Sequence, residues 1–269
     1  MNDLMICVPT MNRQNNLEIC KTTPKEIVEK FYFFAPEEQV EEYLKNYPKL
    51  KFIGISVKGI AATREQISKT AKQFEYKKVL MLDDDISFYI RRDSALWNLR
   101  DVKESSEFIE MFSYLSGLLD EYKHISISGR EGNNRKGVGT REELLAINTR
   151  PLRALGYQVD EHLNCEHCRV TVMEDFDVAL QLLSKGYPLA TTYYYAQGQK
   201  QTNSPGGCST YRTHQIHEES AKKLVELWGE NFIRLRTKMN KTDAEGFGTR
   251  TEVTISWKKV YEKGIENVG

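Results

Sequence analysis

An apolar run that ends in three carboxylates constrains this chain more than any other feature. Residues 79–82 (Val-Leu-Met-Leu) have the composition of a buried strand, and Asp83, Asp84 and Asp85 follow without a break. Adjacent carboxylates repel one another unless a cation neutralises them. At the carboxyl edge of a sheet, their oxygens can share a divalent metal with a substrate diphosphate. A solvated acidic turn after a strand is the alternative interpretation.

A second acidic pair stands where a helix is predicted to begin. Glu174 and Asp175 precede Val178, Leu182 and Leu183, whose spacing buries one face of a helix. The positive end of the helix dipole favours ionised carboxylates at this place. Asp175 can point outward to a cleft and accept a proton from an attacking hydroxyl. Simple capping of the helix N-terminus is the alternative.

Length and patterning indicate one large α/β unit. The chain has 269 residues, of which 40% are hydrophobic, and this is ample material for a core. Short apolar runs alternate with amphipathic stretches, which predicts a mainly parallel sheet flanked by helices. No apolar run approaches the roughly 20 residues of a membrane span, and the first residues lack a signal-like pattern. We therefore expect a cytoplasmic protein without a membrane or an obligatory protein partner.

Several local expectations accompany this fold. Residues 15–20 are predicted to form the start of a helix, and a basic and aromatic loop is predicted around Arg91, Arg92 and Trp97. Residues 105–122 carry apolar side chains at helical spacing behind a serine cap. Residues 129–139 are rich in glycine and charge and predict a flexible loop. Their spacing matches neither Gly-x-Gly-x-x-Gly nor a P-loop.

Charge and cysteine content narrow the function classes. The formal net charge is zero, from 38 basic and 38 acidic residues, so no global field indicates a nucleic-acid partner. Residues 127–153 and 231–263 are nevertheless net positive, as phosphate-binding segments often are. Five scattered cysteines argue against a disulfide framework. Cys165 and Cys168, with adjacent histidines, could hold zinc or could be two free thiols.

Taken together, these motifs resemble the GT-A class of glycosyltransferases, especially its family-2-like members, across roughly residues 4–220. Residues 8–13 (Val-Pro-Thr-Met-Asn-Arg) resemble the Val-Pro-Thr-x-x-Arg entry loop that meets the nucleotide. Residues 83–85 resemble the Asp-x-Asp metal site, and residues 173–187 resemble the Glu-Asp catalytic motif with its helix. The three occur in the order that the family has.

The resemblance implies a role for each matching position. Asp175 would be the catalytic base, supported by Glu174, and Asp85 would be the preferred direct ligand of Mn²⁺ or Mg²⁺. Asp83 would contact both ribose and metal, and His217 or His214 would complete a metal site that suits Mn²⁺. The positions expected to bind the nucleotide-sugar donor are Pro9, Thr10, Arg13, Arg64, Asp83 and Asp84. For Arg64, an ordinary surface arginine is the alternative.

The resemblance also implies a division of the chain. The catalytic domain would span residues 1–220, with a nucleotide-sugar half at about 1–100 and an acceptor half at about 101–220. Residues 221–269 would form a helical and basic C-terminal extension packed on the same domain. The insertion at 188–213, with a predicted strand at 193–195 and a glycine-rich turn, has no firm counterpart in the family.

The acceptor is the most open question. In its compact size and in its polar or aromatic segments 129–136 and 247–259, the chain resembles phage glycosyltransferases that decorate hydroxymethylated pyrimidines in DNA, which implies action in a host cytoplasm. The GT-A resemblance implies a nucleotide-sugar donor, by preference a UDP-sugar, and the Glu-Asp match implies inversion. Acceptor contacts would then come from the polar loop, through Arg130, Asn133, Asn134, Arg135 and Lys136. A polysaccharide, lipid-linked or protein acceptor remains open, as does retention of the anomeric configuration. A sugar nucleotidyltransferase or a nucleic-acid-binding module without catalysis is a further alternative.

Overall fold

The computed structural model describes residues 3–129, 140, 142–199, 213–239 and 249–268. The strands are β1 Leu4–Pro9, β2 Tyr32–Pro36, β3 Lys51–Ile55, β4 Lys78–Leu82, β5 Ile86–Arg92, β6 Ala95–Asp101, β7 His124–Gly129, β8 Leu145–Ile147, β9 Ala154–Gln158, β10 Leu189–Gln199, β11 Ile233–Met239 and β12 Thr249–Ile255. The helices are α1 Ile19–Thr22, α2 Lys25–Val28, α3 Glu37–Asn46, α4 Ile60–Gln73, α5 Ser105–Glu121, α6 Val159–Leu163, α7 Glu174–Ser184, α8 His214–Trp228 and α9 Trp257–Val268.

A ten-stranded sheet lies at the centre, in the order β3-β2-β1-β4-β9-β7-β10-β5-β6, with β8 paired to β10. Strands β3, β2, β1 and β4 run parallel, as do β7 and β10. Strand β9 is antiparallel to both β4 and β7, and the β5–β6 hairpin extends the far edge. The predicted α/β class, with a largely parallel sheet flanked by helices, is confirmed.

The first strand shows why the sheet is covered on both faces. Leu4, Ile6 and Val8 pack into one core cluster, which includes the aromatic side chains of α5. Met5 and Cys7 point to the opposite face and pack against α4 and α7. Because both faces of β1 are buried, its sequence reads as a continuous apolar run instead of an alternating one. The same reasoning applies to β4, all of whose residues are buried.

Three local expectations are wrong. The predicted loop around Arg91 is the β5–β6 hairpin, because Arg91 is buried and its Nε donates to the Tyr193 carbonyl at 2.7 Å. Helix α5 is capped by Glu104, not by serine, through a reciprocal capping box with Glu107. The first helix begins only at Ile19, where the backbone nitrogen donates to the Asp84 carbonyl at 3.0 Å.

The C-terminal segment comprises α8, the antiparallel β11–β12 hairpin and α9. Its apolar residues share a third core cluster with α7. Helix α9 approaches α7 so closely that a Cβ added at Gly264 would lie 2.3 Å from the Leu183 carbonyl oxygen. The predicted division at residue 220 falls inside α8 and stays a prediction. Within the described ranges, no helix combines the length and apolarity needed to cross a bilayer.

One buried histidine makes the stability of the fold depend on pH. His124, at the start of β7, is buried, and its Nε2 donates to the Tyr187 carbonyl at 3.0 Å. Burial lowers the pKa of His124 to about 4, against about 6.5 in an unfolded chain. The folded state therefore holds the neutral ring, and its stabilisation is lost as the pH falls from about 6.5 towards 4.

We expect this histidine to cost the protein about 2 kcal/mol of unfolding free energy between pH 7 and pH 5. Urea denaturation of the wild type and of His124→Gln at both pH values measures it. The variant should lose less stability on acidification than the wild type does. Equal losses in the two proteins would show that His124 titrates normally in the fold.

Candidate active site

The loops after β1 and β4 meet at the carboxyl edge of the sheet. Cys7 pairs with Met81, so the residues after Pro9 lie beside the aspartates that follow β4. Thr10 Oγ1 donates to Asp84 Oδ2 at 2.6 Å. The Arg13 guanidinium reaches Asp84 Oδ1 and Asp85 Oδ2, each at 3.0 Å. The entry loop therefore holds the second and third aspartates by charge-assisted hydrogen bonds.

Arg64 joins the two acidic motifs. It lies in the first half of α4 and is 8% exposed. Its Nη1 donates to Glu174 Oε1 at 2.5 Å, and its Nη2 lies 3.7 Å from Asp83 Oδ1. Burial opposes the charge of Arg64, but Glu174, Asp175 and Asp83 outweigh it and hold the pKa above its ordinary value. Arg64 is thus a buried ionic link, not an ordinary surface arginine.

The first two aspartates lie in an unfavourable environment for their charges. Burial raises the pKa of Asp83 to about 7, although Arg64 and Arg153 partly offset it; the neighbouring carboxylates add to the rise. Burial likewise raises the pKa of Asp84 to about 6, against the opposing effect of Arg13 and of the Thr10 hydrogen bond. The Asp83 side chain keeps 28% of its surface exposed, so a ligand can reach it from solvent. A cation bound there would relieve the repulsion.

Asp85 is anchored from two sides. Its Oδ2 accepts from Arg13, and its Oδ1 accepts from Gln199 Nε2 at 2.6 Å. Gln199 is the last residue of β10 and lies 114 positions away along the chain. It belongs to the site but was not predicted, because a glutamine in an unmatched insertion carries no sequence signal.

The second acidic pair divides into an occupied and an open carboxylate. Glu174 is buried and bound to Arg64. Asp175 is half-buried, and its Oδ1 accepts from the backbone nitrogen of Phe176 at 3.0 Å. In the described part of the chain, Asp175 has no ion pair. Asp175 is therefore the carboxylate of this pair that is available to a ligand.

A third acid on the same helix is structural. Asp177 accepts two hydrogen bonds from Arg169, at 2.9 and 2.6 Å, and one from Trp228 Nε1 at 2.8 Å. Gln181 Nε2 adds a fourth bond at 3.1 Å. These contacts fix the start of α7 against the end of α8, and so hold Asp175 in place.

Backbone strain accumulates around these groups. Asn12, Arg153 and Met173 have φ values of 58°, 49° and 65°, which non-glycine residues rarely adopt. Asn12 precedes Arg13, and Met173 precedes Glu174. Arg153 stands at the start of β9, across from the residue that follows β4. Such conformations persist where the surrounding structure enforces them, often at functional sites.

The histidine and cysteine segment is packed, not arranged for zinc. His162 Nδ1 lies 2.8 Å from Ser68 Oγ, and His167 Nε2 donates to the His162 carbonyl at 2.9 Å. Cys165 is buried, whereas Cys168 is exposed, and both are free thiols. Across the ranges that the structure describes, no three His, Cys, Asp or Glu side chains are grouped to hold a metal.

The carboxylates after β4 still fit a hard divalent cation. Mg²⁺ and similar ions commonly use one or two protein carboxylates and take their other ligands from water and substrate phosphates. Asp83 and Asp85 supply such a pair at a cleft where negative charge is undercompensated. His214 and His217 begin α8, and their role as ligands stays a prediction. The predicted acceptor residues lie outside the described part of the chain: Arg130, Asn133, Asn134, Arg135 and Lys136.

Known proteins provide independent evidence on the family. The beta-glucosyl-HMC-alpha-glucosyl-transferase of Enterobacteria phage T2 is 23% identical over 205 residues, covering 70% of this chain and 69% of the phage protein. The phage T6 enzyme of that name is 23% identical over 190 residues, covering 65% of this chain and 63% of its own. The structure of GalNAc-T7 with UDP, GalNAc and Mn²⁺ has a TM-score of 0.53 at 11% identity, covering 84% of this chain and 48% of that one.

The likeness to GalNAc-T7 supports the GT-A fold and carries no further information at this identity. A sequence profile of the TET-associated glycosyltransferase family matches residues 4–207, about three quarters of the chain. This match includes the entry loop, the aspartates after β4 and the acidic pair of α7. The chain therefore belongs to the TET-associated glycosyltransferase family.

Proposed function

We propose that this glycosyltransferase moves a sugar from a nucleotide-sugar donor, by preference a UDP-sugar, to the hydroxyl of a hydroxymethylated pyrimidine in DNA. Family membership establishes sugar transfer, which disfavours nucleotidyl transfer and binding without catalysis. The observation that carries the proposal is the contrast within the second acidic pair. Arg64 is paired with Glu174, while Asp175, whose charge acts on Arg64 as that of Asp83 does, has no ion pair in the described part of the chain.

The acceptor is inferred from the relatives. Both phage proteins carry HMC, hydroxymethylcytosine, in their names. Because this chain spans only 69% and 63% of their lengths, the acceptor does not transfer automatically. The predicted polar loop supplies a reason to expect DNA, since its cations could bind phosphates on either side of an extruded base. A polysaccharide, lipid-linked or protein acceptor is the competing proposal.

For the metal, we propose Asp85 and Asp83 as ligands of Mn²⁺ or Mg²⁺, with His217 or His214 as a further candidate. The structure of GalNAc-T7, which shares the fold, contains Mn²⁺. When bound, such an ion neutralises charge on a departing diphosphate. Thr10 and Arg13 orient the aspartates from the β1 side, and Gln199 does so from the β10 side.

Asp175 acts as the general base in this proposal. Its open oxygen accepts the proton of the acceptor hydroxyl as that oxygen attacks the anomeric carbon from the face opposite the leaving group. Such a displacement inverts the anomeric centre. Glu174 holds Arg64 and thereby keeps the two acidic motifs at a fixed separation.

The base assignment predicts different defects for the two acids of the pair. Asp175→Asn should lower kcat by at least ~10²-fold with donor affinity unchanged, because it removes proton transfer alone. Glu174→Gln should destabilise the fold by roughly 3 kcal/mol, since it leaves the buried Arg64 charge without its closest partner. Single-turnover kinetics and urea denaturation separate the two effects.

Asp160→Asn, an exposed acid on α6, serves as the matched control and should change neither quantity. Full single-turnover rates in Asp175→Asn would refute the assignment of the base.

The metal assignment predicts a difference between neighbouring aspartates. Asp85→Asn should raise the Mn²⁺ concentration needed for half-maximal donor hydrolysis by ~10-fold or more, because a charged ligand is lost at constant size. Asp84→Asn should change it less, because the Asp-x-Asp resemblance assigns the metal to Asp83 and Asp85 and not to the central aspartate. Titration of hydrolysis with Mn²⁺ after EDTA treatment measures this. An identical metal requirement in both variants and the wild type would remove Asp85 from the metal site.

The acceptor assignment predicts a change in salt dependence. Replacing Arg130, Arg135 and Lys136 together by glutamine should weaken DNA binding and reduce the slope of log K against log salt by up to ~3 units, about one unit for each lost phosphate contact. Background hydrolysis of the sugar donor, which needs no DNA, should survive.

The control triple variant replaces the exposed lysines Lys25, Lys45 and Lys49, and should leave the slope unchanged. Equal loss of DNA binding and donor hydrolysis in the loop variant would instead assign its cations to the diphosphate. An unchanged slope with intact transfer would exclude them from the DNA path.

A further inference from the structure

Arg153 stands at the sheet edge where the aspartates lie. It immediately precedes β9, which runs antiparallel to β4 with Ala154 paired to Leu82. Arg153 is therefore placed across from Asp83, and its charge acts on the Asp83 carboxylate. In the sequence, this arginine is only one of several basic residues in the net-positive segment 127–153. Its neighbourhood depends on antiparallel pairing of strands that are far apart in sequence.

The Arg153 guanidinium differs from those of Arg13 and Arg64. Both of those form ion pairs with carboxylates at 3.0 Å or less. Arg153 Nη1 is buried without a hydrogen-bond partner, and no ion pair of Arg153 occurs among the residues that the structure describes. A buried cationic donor without a partner is unfavourable. A ligand anion at this place would satisfy it.

The backbone at Arg153 is unfavourable as well. Its φ of 49° is in the left-handed region, which glycine adopts freely and arginine does not. The Ala154 nitrogen donates to the Leu152 carbonyl across this residue. Both flanks are held, because Leu152 N donates to Ser126 Oγ at 3.0 Å and Ala154 pairs with β4. The fold thus keeps a large cation where a glycine would fit without strain.

We infer that Arg153 binds the diphosphate of the nucleotide-sugar donor and stabilises it as the leaving group. This inference rests on the proposed function. Guanidinium is suited to phosphate because its planar array of N–H groups can bind two oxygens at once. The other two arginines of the site, Arg13 and Arg64, already form ion pairs with carboxylates. Among the described residues, Arg153 is an arginine of the site whose guanidinium remains available to the donor.

The role of Arg153 in the transfer follows from where charge develops. The bond between the anomeric carbon and the diphosphate oxygen breaks, and its electron pair stays on the diphosphate. The acceptor oxygen forms the new bond to the anomeric carbon and gives its proton to Asp175. Arg153 donates hydrogen bonds to the phosphate oxygens that gain charge, and it remains protonated throughout.

Calorimetric binding of UDP, GDP and ADP, each with Mn²⁺, tests this on the full chain. Arg153→Gly should lower the affinity for whichever diphosphate the wild type binds by ~10-fold or more, because a charged hydrogen-bond donor is lost. Affinity for the matching nucleoside should change less than about threefold, because the nucleoside carries no phosphate. Arg153→Lys, which keeps the charge, should recover part of the affinity for the diphosphate.

Stability distinguishes this role from simple neutralisation of Asp83. Relief of the left-handed backbone should leave the Tm of Arg153→Gly unchanged or about 2 °C higher. Glu75→Gly is the matched control, because Glu75 is exposed and has a φ of 63°. It follows the C-terminal end of α4, whereas Arg64 lies near the N-terminal end of that helix. The control variant should show the same thermal shift with full diphosphate affinity.

If Arg153→Gly fails to fold, Arg153→Asn tests the same point, because asparagine tolerates this backbone. A variant that is clearly destabilised, or that binds the diphosphate as tightly as the wild type, would overturn the inference. If the wild type binds none of the three diphosphates, the proposed donor class fails instead.

Discussion

The buried ion pair between Arg64 and Glu174 is the interaction on which the site depends. It joins α4 to the first turn of α7 across 110 positions of sequence, and the same guanidinium lies near Asp83. Without it, carboxylates from two distant motifs would face one another in a poorly solvated cleft. Removing one partner of such a pair lowers the free energy of unfolding by more than the intact pair contributes to it, because the other charge stays buried. The pair therefore specifies where the two acidic motifs stand relative to each other.

Around this pair, the acids differ in how completely they are satisfied. Asp84, Asp85, Glu174 and Asp177 all have close cationic or hydrogen-bonding partners. Asp175 and Asp83 are more open. An acid with free lone pairs can accept a proton or a cation, whereas a fully hydrogen-bonded one mainly orients its neighbours. This contrast separates Asp175 and Asp83 from the supporting acids Asp84, Glu174 and Asp177. Asp85 accepts one hydrogen bond on each oxygen, from Arg13 and Gln199, and would bind a metal through its remaining lone pairs.

Much of this arrangement could be predicted from sequence because its signals are local. The apolar run before Asp83 indicates a buried strand, and the spacing after Asp175 indicates a helix whose N-terminus carries acids. Both elements are present as β4 and α7. The loop prediction around Arg91 was wrong because a charged residue in a short segment usually indicates an exposed loop. Only the fold shows that a backbone carbonyl, that of Tyr193, is the partner of this buried charge. Gln199 and Arg153 could not be predicted from the sequence. The antiparallel pairing of β10 with β5 brings Gln199 to the site, and the antiparallel pairing of β9 with β4 brings Arg153 there.

Mass spectrometry of the product nucleosides is the sharpest test of sugar transfer to hydroxymethylated pyrimidines in DNA. DNA containing hydroxymethylcytosine or hydroxymethyluracil would be incubated with the protein, Mn²⁺ and a panel of nucleotide sugars, then digested. We expect one donor to add the mass of its sugar to the hydroxymethylated nucleoside and to leave unmodified cytosine and thymine unchanged. Donor turnover that adds no mass to any nucleoside, together with transfer to a glycan or protein acceptor supplied in parallel, would rule out DNA as the acceptor.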